Sequence, residues 1–82
     1  MWGTYEIEET ITKWAIEAGI NDLRLVTYDY DKGVLYIYTT RPNCMIGPWG
    51  RLIDKYWQIF KENIRDFKMV GVESDAWSNF LK

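Results

Sequence analysis

The chain has no histidine, one cysteine and two prolines among its 82 residues. Lacking histidine, it lacks the commonest general base near neutral pH, the usual partner of a nucleophilic serine and the commonest zinc ligand. Hydrolytic and metal-dependent chemistry are therefore poorly provided for, and neither a cofactor nor a catalytic residue is expected. Cys44 alone cannot form an internal disulfide or a multi-cysteine metal site; it is expected to be a small buried hydrophobe in a reducing compartment. No apolar run reaches bilayer-spanning length and no secretory signal is legible, so the expectation is a cytoplasmic protein with no membrane partner.

Aromatic side chains are abundant: five Trp and six Tyr in a chain that is 48% hydrophobic. This gives a short chain enough apolar surface to fold, although 82 residues suffice for only one core, hence one domain over residues 1–82. The net charge of −2 is unevenly spread. Residues 1–31 carry seven acidic and two basic side chains, whereas residues 32–72 carry seven basic and three acidic ones. A basic middle segment can attract phosphate even in an acidic protein.

In "TYEIEETITKWAIEAGI", Ile7, Ile11, Trp14, Ala15 and Ala18 recur at helical spacing, with Thr4 as N-cap candidate and Gly19 as stop. "LRLVTYDY" and "VLYIYTT" are rich in β-branched and aromatic residues and flank "DKG", the pattern of an antiparallel hairpin. Pro42 opens a helix of about one turn before Gly47. From Pro48 onward, Ile53, Tyr56, Trp57, Phe60, Ile64 and Phe67 mark the longest helix. "KMVGVES" reads as a third strand, and "DAWSNFLK" (75–82) as a terminal helical turn folding Trp77 and Phe80 onto the body. The order is α-β-β-α-α-β: an α+β domain with a small three-stranded sheet and helices on one face.

"RPNCMIGPWGRLIDKYW" carries the functional reading. Gly47 and Gly50 bracket Pro48 and Trp49 between two helices, so free N–H groups and a positive dipole end can meet an approaching sugar-phosphate chain. With Arg41-Pro42 five residues before Ile46-Gly47, the G-x-x-G pattern and the amphipathic helix that follows, residues 23–73 resemble the type II KH domain of bacterial small-subunit ribosomal proteins, and the length resembles stand-alone bacterial KH proteins. The KH fold clamps about four nucleotides at its glycine loop. The resemblance implies a non-catalytic module for single-stranded RNA, or ssDNA, with Gly47 and Gly50 framing a phosphate turn. It also implies that Ile46, Leu52 and Ile53 shape the groove floor or the core beneath it, with charge nearby from Arg41, Arg51 and Lys55. The family usually places a basic or small polar residue between the glycines; Pro48, which has no N–H, and bulky Trp49 stand there instead.

Alternatives accompany each feature. "GPWG" also reads as a helix start with Pro48 at its first position. Trp49 suits a base-stacking platform and a protein-docking anchor about equally. Tyr28, Tyr30, Tyr36 and Tyr38 read as good strand formers in preference to a stacking surface. The rival function is a KH-like scaffold turned to protein binding, as in small phage or mobile-element proteins, with a ribosomal or RNA-processing protein or a second copy as partner.

Overall fold

The first helix, α1 (Thr4–Ala18), buries Ile7, Ile11, Trp14 and Ala15 along one stripe, as their spacing predicts. The cap is Gly3 instead of Thr4: its N–H donates to Glu6 Oε1 at 2.7 Å, so a carboxylate three residues on satisfies the helix start. Gly19 ends the helix in the left-handed conformation, φ 75° and ψ 29°. The structure is a computed structural model and describes residues 2–23 and 25–74. The expected terminal turn at 75–82 lies outside the described residues.

Strands β1 (Leu25–Asp29) and β2 (Val34–Thr39) form the hairpin, with Val26 opposite Ile37 and Asp29 opposite Val34. Asp29 Oδ1 accepts the N–H groups of Asp31 and Lys32 at 3.0 and 3.1 Å, and Gly33, at φ 70°, donates to the Asp29 carbonyl at 2.8 Å. A Cβ on Gly33 would stand 2.2 Å from the Asp66 carbonyl oxygen, so glycine is required there twice over.

Strand β3 (Met69–Ser74) runs parallel to β2, with Leu35 opposite Val70, completing a mixed sheet of order β1-β2-β3. Parallel neighbours need a long crossover. Residues 40–68 supply it as α2 (Pro42–Ile46), a turn at Pro48–Gly50, and α3 (Arg51–Asn63). The α+β class and the order α-β-β-α-α-β are those the sequence predicts. Two details differ: α3 starts at Arg51, not Pro48, and its 13 residues make it shorter than the 15-residue α1.

Along β2, Leu35, Ile37 and Thr39 are buried and alternate with half-buried Val34, Tyr36 and Tyr38. Leu35 and Ile37 join Ile7, Ile11, Trp14, Met45, Phe60 and Phe67 in one cluster, which places the helices on that face. Each such side chain contributes about 1.5–3 kcal/mol on burial. Trp14 fastens the layers: its indole Nε1–H donates to the Met45 carbonyl at 2.8 Å, and its ring stacks on Tyr56 at 5.1 Å.

Candidate nucleic-acid interface

The chain between α2 and α3 must reverse within four residues, and its dihedral angles show how. Gly47 sits at φ 79° and ψ 169°, a region open essentially to glycine alone. Its added Cβ would meet the Leu52 Cβ at 2.7 Å. Gly50 N–H donates back to the Gly47 carbonyl at 3.1 Å, closing a turn with Pro48 at its second position. Trp49 (φ 60°, ψ 20°) and Gly50 (φ 69°, ψ 18°) are both left-handed, and Arg51 N–H donates to the Pro48 carbonyl. The helix is therefore interrupted, and the reading of Pro48 as first residue of α3 does not hold.

A bulky side chain in the left-handed region is strained by about 1–2 kcal/mol. Trp49 bears that strain with an indole that is 92% exposed, so no packing of its own ring compensates. A Cβ added at Gly50 meets nothing within 4 Å, so the turn faces open space there. Among the sequence-predicted residues, Ile46 and Gly47 are half-buried against the body, while Pro48, Trp49 and Arg51 are exposed. These residues and half-buried Gly50 form one continuous element.

A groove of about 330 Å³ runs between the first turns of α3, which follows the turn in the chain, and the start of β3, lined by Ile53, Asp54, Trp57, Met69 and Val70. β3 is an edge of the sheet, and Met69 is 53% exposed there. Trp57 is fixed by its Nε1–H donating to the Lys68 carbonyl at 3.0 Å, which ties α3 to the approach of β3. Sequence reasoning includes Ile53 but misses Asp54, Trp57, Met69 and Val70. The missing signal is tertiary: only the parallel placement of β3 brings residues 69–70 alongside 53–57.

Arg41 and Lys55 do not join this element. Arg41 caps the far end of α2, its N–H on Thr39 Oγ1 at 3.2 Å, beside Asp22. The Asp22 carboxyl accepts the hydroxyls of Thr40 and Thr39 and lies below its usual range chiefly through the Thr40 bond, with Arg41's charge adding to the effect. Lys55 Nζ is held by both Glu17 oxygens at 2.9 Å, and Tyr56 donates to Glu17 Oε1 at 2.8 Å. These two donors hold Glu17 below the usual carboxylate range, while burial first and the Glu17 bond second push Tyr56 up to about 12. This cluster is a strut between α1 and α3.

Cys44 is exposed, contrary to expectation, because α2 turns only Met45 fully inward. Tyr28 stacks on Phe67 at 6.2 Å, in keeping with strand tyrosines serving the fold, while Tyr30 remains exposed. Among the described residues, no helix is long and apolar enough to cross a membrane. Comparison with protein-family models, curated proteins and solved structures finds no match to this chain.

Proposed function

We propose that the chain is a non-catalytic module that binds single-stranded RNA in the manner of a type II KH domain, with its glycine turn rebuilt around an indole. The observation that carries this reading is the outward Trp49 on a strained turn, four residues before Ile53 in the wall of an apolar groove bounded by a sheet edge. A base stacks on the indole, a contact that contributes about 1–3 kcal/mol, and its neighbour enters the groove. The element order α-β-β-α-α-β and the helix break at Gly47–Gly50 support the KH comparison.

Phosphate plays a smaller part here than in a basic glycine loop. The N–H groups of Gly47, Gly50 and Arg51 are engaged within the chain, and Pro48 has none. With Lys55 held by Glu17, Arg51 and Lys68 are the cations flanking the groove in sequence. Neutralising about two phosphates of a single strand gives a log K against log salt slope of about −1.4. Fluorescence anisotropy of labelled single-stranded RNA at low salt tests the reading. A shallow salt slope and a roughly tenfold loss in Trp49→Ala are expected, and no binding at millimolar protein would refute it.

Those engaged N–H groups and the acidic net charge favour a second reading, a docking site for a protein segment. Trp is enriched at such hot spots. A Trp49-dependent protein partner that survives nuclease treatment, together with failure to bind RNA, would favour it.

A further inference from the structure

The groove is apolar except for one side chain. Ile53, Trp57, Met69 and Val70 supply hydrophobic walls, and Asp54 supplies a carboxylate. Asp54 lies in the first turn of α3, where the helix dipole favours an acid. Yet no hydrogen bond or ion pair engages its carboxylate among the described residues; its neighbour Lys55 turns to Glu17 instead. A carboxylate accepts hydrogen bonds and donates none. A phosphate placed against it would be repelled, so the groove suits a base edge that presents donors.

We propose, resting on the single-stranded nucleic-acid reading above, that Asp54 makes this groove selective for guanine. Guanine offers its N1–H and N2–H side by side on the Watson–Crick edge, a spacing that the two oxygens of one carboxylate accept together. Cytosine and adenine offer one exocyclic amine, and the ring nitrogen beside it turns a lone pair toward the second oxygen. Uracil's single N3–H is flanked by two carbonyl oxygens that repel the carboxylate. Unstacked bases of single strands are read on these edges. The groove volume of about 330 Å³ is at the small end of ligand sites, which run from about 300 to 1,000 Å³. Asp54 is exposed at the groove's rim, and a bond to its carboxylate is charge-assisted, stronger than a neutral one.

The test uses short oligouridines carrying G, A, C, U or inosine at one central position, titrated into the full chain at low salt. The guanine oligomer is expected to bind at least about tenfold more tightly than the all-uridine one, the discrimination a bidentate base contact gives. Inosine, which keeps N1–H but lacks the N2 amine, is expected to fall between them. In Asp54→Asn, with folding checked by its melting curve, the guanine preference is expected to shrink to within about twofold, since the amide offers one acceptor. Equal binding of all five oligomers, or an undiminished preference in Asp54→Asn, overturns the selectivity while leaving the RNA reading intact. Failure of every oligomer to bind overturns both.

Discussion

Trp14 and Trp49 carry the same side chain into opposite environments. Trp14 is fully buried, hydrogen-bonded to the Met45 carbonyl and stacked on Tyr56; Trp49, four residues beyond Met45, is 92% exposed. The first indole stabilises the fold through area, a satisfied N–H and an aromatic neighbour. The second contributes no such packing and requires a left-handed backbone that bulky residues disfavour. The core indole thus stabilises the fold, while the turn that carries the exposed one is held against a local conformational cost. Such strain clusters where the backbone must present something.

The sharpest way to break this comparison is to truncate each indole. Trp14→Ala is expected to lose about 3–5 kcal/mol in urea unfolding. That is a large share of the total for a domain of this size, which at typical values is about 4–12 kcal/mol. Trp49→Gly is expected to leave stability unchanged or raised by up to about 1 kcal/mol as strain is relieved. Its RNA affinity should fall by about tenfold. A Trp49→Gly variant destabilised as much as the Trp14 variant would show that the exposed indole serves the fold.

The two glycines of the turn sharpen the contrast. Gly47→Ala needs a glycine-only conformation and brings its Cβ 2.7 Å from that of Leu52, so a loss of about 2–3 kcal/mol is expected by thermal unfolding. Gly50→Asn keeps a conformation asparagine tolerates and meets open space; a loss below about 1 kcal/mol is expected.

The smallest effect concerns the strut. Glu17 is held below its ordinary value of 4.5 by Lys55 and Tyr56, so its stabilising contribution is complete above pH 4.5 and lost as pH falls through the lowered value. Lys55→Ala is expected to show a shallower acid limb in stability against pH, with RNA affinity within about twofold of the parent. A tenfold affinity loss would return Lys55 to the interface.

Periodicity made most of the fold legible: the stripe from Ile7 to Ala15, the hairpin around Gly33 and the third strand all lie where local pattern puts them. Local pattern could not tell that β3 pairs parallel to β2, because a long crossover permits either direction and the packing of the helices on the sheet decides it. The helix begins at Arg51 and not at Pro48 for a related reason. Proline at a first helical position is locally favourable, but here the reversal between α2 and α3 demands left-handed residues just after it. The glycine turn was legible as a turn, with its glycines, Trp49 and Arg51. Charge and proximity in sequence point to Arg41 and Lys55, whereas the groups beside them, Asp22 and Glu17, are distant in sequence and visible only in the fold.

The most direct measurement is an NMR titration of the isotopically labelled chain with the central-guanine oligouridine at low salt, following backbone amides and indole N–H signals. The expected result is saturable shifts at the Trp49 and Trp57 indoles and at Gly47, Gly50, Arg51, Ile53, Asp54, Met69 and Val70, with the Trp14 indole unmoved. Shifts confined to α1 and the Tyr28–Tyr30 side of the sheet, or none at millimolar oligomer, would contradict the assignment of this turn and groove as the contact surface.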